Sequence, residues 1–283
     1  MNIVVLSTCT PANAFLIRTV AARHPIRRVF RLTWEAPPRR ESRFEKFRRA
    51  PIDSVFSLAR RKFFEHLHDH VERRAAAILA PFDAADDQPP ISNINRWKVN
   101  SPCFAEQLRA LDPDVLLVSA GPILKPEIFE IPKLGTLNVH RGIAPAYRGE
   151  RTLFNALYDD DLANVGVTLH QIDRGIDTGP VLKYGFPALA PDDDEAILTA
   201  KCMRLAAAMV GDALDEAALC GFQGVRQTGS GRCCYAREQR IWKEAWYRLL
   251  RITGQRRITP SSQQIVTLSP RMDQLRCDAV QLV

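Results

Sequence analysis

The sequence contains no run of apolar residues that approaches the roughly 20 needed to span a bilayer as a helix. The apolar residues that open the chain, Ile3 to Leu6, are too few for the apolar region of a signal peptide, and no basic residue precedes them. We interpret them as a first strand. The sequence therefore predicts a cytoplasmic protein.

The sequence also lacks paired cysteines at metal-ligand or redox spacing. Seven cysteines are present, an odd number with no C-x-x-C pair, so the pattern indicates neither a disulfide framework nor a zinc ribbon. The adjacent pair Cys233 and Cys234 is poorly suited to ligate one metal. In the segment 66–70, only His66 and His70 would share a helix face, and no carboxylate or cysteine completes a ligand set. We expect no metal and solvent-exposed histidines.

A glycine-rich dinucleotide loop is absent as well. Residues 1–7, 14–23 and 26–33 read as strand, helix and strand, which is a β-α-β opening. The loop Thr8 to Asn13 lacks the G-x-G-x-x-G pattern that would hold a pyrophosphate. A nicotinamide or flavin cofactor is therefore not indicated.

The patterns that are present favour an α/β fold. Val115 to Ser119 is a continuous apolar run typical of a strand covered on both faces, and Gly135 to His140 reads as a second such strand. We predict a three-layer αβα domain with a mostly parallel sheet over residues 1–225, containing a helical insertion at 39–80. Residues 226–283 are expected to form a C-terminal helical extension and an irregular tail.

Positive charge is unevenly distributed along the chain. The net charge is +7, and residues 39–62 hold nine Arg/Lys against three Asp/Glu, a local balance of +6. An anionic partner is plausible on this basis. Residues 237–252 place Trp242 and Trp246 on an apolar stripe opposed by basic residues. This helix either packs back on the domain or makes a peripheral membrane or partner contact.

Candidate chemistry centres on Asn138 and His140. They are two residues apart in a short strand, so both side chains point to the same side of the sheet. Asp177, in the glycine-flanked segment 173–179, would add a carboxylate. An amide donor, an imidazole and a carboxylate can together stabilise an oxyanion, move a proton and orient the base.

Four ordered motifs carry a resemblance to a known family. They are Thr136-Leu-Asn-Val-His140, Pro145-Ala-Tyr-Arg-Gly149, Gly166-Val-Thr-Leu-His170 and Asp173-x-Gly-x-Asp-Thr-Gly179. Together they resemble the signature of the folate-dependent formyltransferases, which act on methionyl-tRNA, glycinamide ribonucleotide or sugar nucleotides. The match is close over residues 136–182 and loose over the whole α/β domain.

The resemblance implies a 10-formyltetrahydrofolate donor, an amine acceptor, and catalytic positions at Asn138, His140 and Asp177. Asn138 and protonated His140 would stabilise the developing negative charge on the formyl oxygen, and Asp177 would assist proton removal. In the family's manner, the pteridine would lie against two short segments, with Ser119, Ala120, Gly121 and Ile123 in the first and Asp173 and Gly175 in the second. His170 and Asp173 are interpreted as residues that fix the loop.

The acceptor is less well defined by the sequence. Tyr147 and Arg148 are expected to face it, with a loop-anchoring role as the alternative. About 60 residues follow the core, which is short for the barrel that the methionyl-tRNA enzymes carry. The N-terminal loop also lacks the glycine-rich phosphate loop of the glycinamide-ribonucleotide enzymes. We therefore predict an amino-sugar nucleotide or similar phosphorylated amine, with methionyl-tRNA as the alternative acceptor and a non-catalytic folate-binding module as the alternative of another class.

Overall fold

The structure, a computed structural model, describes residues 1–34, 51–79 and 89–268. The strands are β1 (Ile3–Ser7), β2 (Ile26–Thr33), β3 (Ile91–Asn95), β4 (Val115–Ser119), β5 (Gly135–His140), β6 (Tyr147–Gly149), β7 (Val167–Gln171), β8 (Val181–Phe186), β9 (Arg232–Cys234) and β10 (Gln264–Thr267). The α-helices are α1 (Pro11–Ala21), α2 (Pro51–Leu79), α3 (Pro102–Ala110), α4 (Pro126–Phe129), α5 (Thr152–Tyr158), α6 (Glu195–Cys220) and α7 (Ile241–Ile252).

Eight of these strands form one mixed sheet in the order β10-β8-β7-β5-β4-β1-β2-β3. The five strands from β5 to β3 pair in parallel, and β7, β8 and β10 add on in antiparallel register. The predicted α/β class with a mostly parallel sheet is confirmed. A separate two-stranded sheet joins β6 to β9 in parallel.

Helices cover both faces of the large sheet, which gives three layers. On one face, α1, α2 and α6 pack against one another and cover a large apolar cluster that includes Leu16, Leu137 and Met203. On the other face, α3 and α4 cover a second cluster built around Phe104 and Leu116. β1 and β4 are buried along their whole length because they lie in the middle of the sheet, where helices cover the side chains on both faces.

Capping residues set the boundaries of two helices, α3 and α6. The Ser101 side chain accepts a hydrogen bond from the Phe104 amide, with Pro102 at the first helical position of α3. Asp194 caps α6 by accepting from the amides of Ala196 and Ile197, and Gly221 ends that helix with a φ of +70°.

Other boundaries differ from the predictions. α1 begins at Pro11, inside the predicted loop, because proline needs no amide partner in the first turn of a helix. Residues 264–267, predicted as part of an irregular tail, form the edge strand β10 instead. Parts of the predicted insertion at 39–80, namely residues 39–50 and residue 80, lie outside the described residues, as does the tail beyond residue 268. The division of the chain at residue 225 remains a prediction.

In the ranges that the structure covers, no helix is long and apolar enough to cross a membrane.

Substitution of Phe104 tests how much packing in the second apolar cluster contributes to stability. Phe104 is 1% exposed and meets the Phe30 ring edge-on at a centroid distance of 5.0 Å. Phe104→Ala should lower the free energy of unfolding by about 3–5 kcal/mol, because it removes buried area and leaves a cavity. Denaturant unfolding measures this loss. Phe63→Ala, at a ring that is 37% exposed, is the matched control, and an equal loss in the two variants would contradict the packing described.

Candidate active site

Asn138 and His140 lie on β5, at the point where the sheet changes from parallel to antiparallel pairing. Asn138 is opposite Val118 of β4 on one side and opposite His170 of β7 on the other. The Asn138 side chain is partly buried, and the His140 side chain is 6% exposed. The strand therefore presents both polar side chains toward the loop that follows β7.

That loop, residues 172–180, is tightly closed and brings Asp177 back onto β5. The Gln171 amide donates to the Pro180 carbonyl at 2.8 Å across the base of the loop. Asp173 accepts hydrogen bonds from the Gly175 amide at 3.0 Å and from the Thr178 hydroxyl at 2.6 Å. These contacts agree with the predicted loop-fixing role of Asp173.

The Asp177 carboxylate is the point where the polar side chains meet. Its Oδ1 accepts from Asn138 Nδ2 at 3.0 Å, and its Oδ2 accepts from the Gly149 amide at 2.9 Å. His140 Nδ1 lies 3.3 Å from Oδ2, and His170 Nε2 lies 3.4 Å from Oδ1. The structure thus brings together the three predicted catalytic positions and adds His170 and Gly149 to them.

The two histidines differ in their hydrogen bonding. His170 Nδ1 lies 2.7 Å from the Gln171 carbonyl oxygen and Nε2 lies 3.1 Å from Asn138 Nδ2, so we assign its proton to Nδ1. His140 faces an acceptor at each ring nitrogen, since Nε2 lies 2.9 Å from the Tyr147 carbonyl oxygen and Nδ1 faces Asp177. Only the doubly protonated imidazole can donate to both of these acceptors.

Burial and charge act in opposite directions on this pair. Burial lowers the pKa of His140, while the Asp177 carboxylate and the Tyr147 carbonyl raise it again in part. Burial by itself would raise the pKa of Asp177, but the charge of His140 and the Gly149 amide outweigh it and hold the pKa well below the usual range. Asp177 is therefore an ionised carboxylate beside an imidazole that can gain a proton.

Gly149 could not have been identified from side-chain chemistry, because it contributes only its backbone amide. It has a φ of +87°, and a Cβ there would overlap the carbonyl oxygen of Cys234 in the paired strand β9. Gln227 supports the Asp177 loop from the same C-terminal region, donating to the carbonyls of Asp177 at 2.9 Å and Gly179 at 2.8 Å. Residues beyond 225 therefore help to shape the candidate site.

The predicted folate-binding residues after β4 lie beside this cluster. Ser119 pairs with Val139 at the end of the strand, and its buried hydroxyl donates to Asn13 Oδ1 at 2.9 Å. Ala120 and Gly121 follow it with exposed backbone, and Ile123 presents a side chain that is 62% exposed. An exposed apolar side chain next to open backbone groups fits a flat heteroaromatic ring, so these residues are compatible with the predicted pteridine contact.

Tyr147 and Arg148 make contacts within the protein. Tyr147 is 6% exposed, and its hydroxyl donates to Asp159 at 3.2 Å, with burial and the nearby carboxylates raising its pKa. Arg148 Nη2 lies 3.4 Å from the Gly231 carbonyl oxygen, while its Nε is buried without a partner. These contacts correspond to the loop-anchoring alternative, and the acceptor role of both residues remains a prediction.

An aromatic and basic cluster that the sequence patterns did not single out lies at the carboxyl edge of the sheet. Trp34 follows β2 and is 67% exposed, and Trp97 follows β3 and is 57% exposed. The Arg96 guanidinium lies 3.8 Å from the Trp34 ring centroid and 5.2 Å from that of Trp97. Burial lowers the pKa of Arg96, and the charge of Glu150, the residue after Gly149, opposes that shift.

Among the residues that the structure describes, no group of three or more metal-ligating side chains is close enough to hold a metal ion. His66, His68 and His70 are exposed on α2, in agreement with their predicted solvent exposure. Cys233 is partly buried and Cys234 is buried, and both are free thiols in β9.

The structure thus brings an amide, two histidines and a carboxylate together around one loop near the centre of an α/β sheet. The Formyl transferase family model matches residues 69–214, just over half of the chain and all of the side chains in the Asp177 cluster. The chain therefore belongs to the formyl transferase family.

Similar proteins agree with this assignment. The chain is 39% identical over 129 residues to methionyl-tRNA formyltransferase of Trichlorobacter lovleyi, covering 45% of this chain and 38% of that protein. It thus spans about two fifths of the length of the curated relatives that it matches.

Solved structures match over a greater length at lower identity. A sugar N-formyltransferase from Shewanella has a TM-score of 0.54 at 14% identity, covering 89% of this chain and 87% of its own. A 4-N formyltransferase from Francisella tularensis has a TM-score of 0.53 at 12% identity, with 93% and 98% covered. These likenesses confirm the fold.

The lowered pKa of Asp177 has a consequence for stability. A carboxylate whose pKa is depressed in the folded state contributes stability above its unfolded pKa of about 3.9, and that contribution is lost as pH falls toward the folded value. Asp177→Asn should therefore lower the thermal unfolding midpoint most at neutral pH, and the deficit should shrink below about pH 4. Thermal unfolding from neutral to acid pH measures it, and a deficit independent of pH would contradict the electrostatic interpretation.

Proposed function

We propose that the protein transfers a formyl group from 10-formyltetrahydrofolate to a primary amine. The observation that carries the proposal is the convergence of Asn138, His140 and Asp177 on one partly buried point of the sheet, within the segment that matches the family. The co-substrate supplies an activated formyl carbon, which the acceptor nitrogen attacks. The new bond joins that carbon to the acceptor nitrogen, and the bond from the carbon to the folate nitrogen breaks.

The exposed fractions of the side chains suggest which step each residue performs. The His140 side chain is 6% exposed and that of Asp177 is 13% exposed, so substrate meets Asp177 and Asn138 before His140. Asn138 donates its amide to the formyl oxygen as charge develops there, exchanging one of its hydrogen bonds inside the cluster for the new one. Asp177 takes up the proton from the attacking nitrogen, directly or through water, and that proton passes to the folate nitrogen as its bond to the formyl carbon breaks. His140 lies behind Asp177 between two acceptors and stabilises the charge that develops there.

For the acceptor, we propose an amino-sugar nucleotide or a similar phosphorylated amine. The cluster of Trp34, Arg96 and Trp97 supports this proposal, because two exposed indole rings can stack on a base and a guanidinium between them can meet phosphate. The cluster lies at the carboxyl edge of parallel strands, where open α/β sheets bind ligands. Tyr147 and Arg148 remain candidates for the sugar side of the same acceptor.

A second candidate acceptor is methionyl-tRNA. The observation that favours it is the 39% identity to a methionyl-tRNA formyltransferase over the shared 129 residues. The net charge of +7 is compatible with either acceptor, because both carry phosphate. The cytoplasmic location expected from the sequence remains a prediction.

Turnover by variants of the cluster tests the catalytic proposal. His140→Asn and Asp177→Asn should each lower kcat/KM by about 10²-fold or more, because each removes a group that moves or stabilises a proton. The assay follows tetrahydrofolate release with formyltetrahydrofolate and an amine acceptor. His66→Asn, at an exposed histidine of α2, is the matched control and should retain full turnover. Equal turnover by the parent and both cluster variants would contradict the catalytic role of His140 and Asp177, and folate binding by a parent that shows no turnover would indicate a folate-binding module without catalysis.

Substitution of the exposed tryptophans tests the acceptor class. Trp34→Ala or Trp97→Ala should raise KM for an amino-sugar nucleotide by about tenfold with kcat little changed, because each removes one stacking surface. Trp242→Ala, at an exposed tryptophan of α7, is the control. An unchanged KM for the sugar nucleotide, together with efficient formylation of methionyl-tRNA that weakens steeply with salt, would favour the second acceptor.

A further inference from the structure

The helix α7 is attached to the domain by its polar face. Glu244 is 5% exposed and forms an ion pair with the partly buried Arg151. Arg251 Nη2 donates to the Pro191 and Asp193 carbonyls at 2.9 and 3.0 Å, and the Tyr247 ring meets Phe154 at 5.7 Å. This arrangement is the reverse of an ordinary surface helix, which buries its apolar side.

The apolar face of the helix is consequently turned toward solvent. Its members recur at helical spacing on one side, and each of the five large ones is more than 40% exposed: Ile241 41%, Trp242 59%, Trp246 50%, Leu249 49% and Ile252 84%. Ala245 is exposed between the two tryptophans. A contiguous apolar surface of this kind marks an interaction site.

Most of the exposed charges around this face are positive, although Glu238, just before the helix, is an exposed acidic residue. Arg240 and Arg248 are exposed on α7 and at its start, and Arg237 is exposed just before it. The acidic residue of the helix, Glu244, is buried and paired with Arg151, so it does not offset them. The surface that α7 presents is therefore apolar at its centre and positively charged at its flanks.

We propose that α7 is a docking surface for an anionic lipid membrane, on which it lies parallel to the bilayer plane. Tryptophan side chains favour the interface between headgroups and acyl chains, and the aliphatic side chains insert beside them. Arginines at the flanks meet anionic headgroups. A second copy of the chain would present the same positive flanks, and a nucleic acid would leave Ile241, Leu249 and Ile252 without an apolar partner.

The partly buried Arg151 gives the helix a fixed orientation for this docking. Its guanidinium lies between Glu195 of α6, at 2.7 Å, and Glu244 of α7. It also lies 4.3 Å from the Phe154 ring centroid. The apolar face is thus presented on a rigid support instead of having to detach from the domain to become available.

Vesicle sedimentation with the full chain tests the proposal. The protein should pellet with vesicles made from equal amounts of phosphatidylcholine and phosphatidylglycerol, and much less with phosphatidylcholine alone. Trp242→Ser with Trp246→Ser should reduce the partition coefficient about tenfold or more, because the interfacial anchors are lost. Arg240→Gln with Arg248→Gln should reduce it about fivefold for each charge at low salt.

Leu219→Ser is the matched control, since Leu219 is 90% exposed at the end of α6, and it should bind as the parent does. Unfolding midpoints equal to that of the parent show that the variants are folded. Absence of binding at low salt, or binding that the double tryptophan substitution leaves unchanged, would overturn the proposal. If vesicles are not bound, two further results would point to another occupant and overturn the proposal. One is a dimer that the double tryptophan substitution dissociates, and the other is tRNA binding that depends on the two tryptophans.

Discussion

Burial of the Asp177 carboxylate is the constraint on which the candidate site depends. A carboxylate removed from water is costly unless hydrogen-bond donors and charge replace the lost solvation. Here the replacements come from Asn138 and His140 of β5 and from the Gly149 amide of β6, segments that are distant in sequence from Asp177. Because these donors must all be in place together, the ionised carboxylate fixes the loop, the strand and the small β6–β9 sheet relative to one another.

A second, partly buried charge connects the segment after β6 to the C-terminal region. Arg151 follows Gly149 by two residues, adopts a φ of +51° and pairs with Glu195 and Glu244. Removing either carboxylate would leave the guanidinium partly uncompensated, which is far more costly than losing an exposed ion pair. α7 is therefore bound to the domain through the ion pair of Glu244 with Arg151, and its large apolar side chains remain exposed to solvent.

Regular elements were predictable because their patterns are long or sharply bounded. The apolar run of β4 and the cap at Ser101 each determine one element almost alone. The strands β6, β9 and β10 have three or four residues each, too few to show a period, and they form because a partner strand is present. The apolar stripe of α7 was also visible in the sequence, but the face that packs inward is decided by Arg151, more than 90 residues earlier in the chain.

The two halves of the proposed reaction differ in how far the sequence predicts the residues that serve them. The groups that would act on the formyl carbon are few, polar and closely spaced, so their order along the chain is informative in itself. The proposed acceptor contact is different, since Trp34 and Arg96 are about 60 residues apart and meet only because β2 and β3 are neighbours in parallel. Single exposed tryptophans and arginines are common on protein surfaces, so the sequence does not predict which of them will be in contact. If the proposed contact is correct, the acceptor is therefore chosen by loops at the carboxyl edge of the sheet that are separate in sequence from the Asp177 cluster.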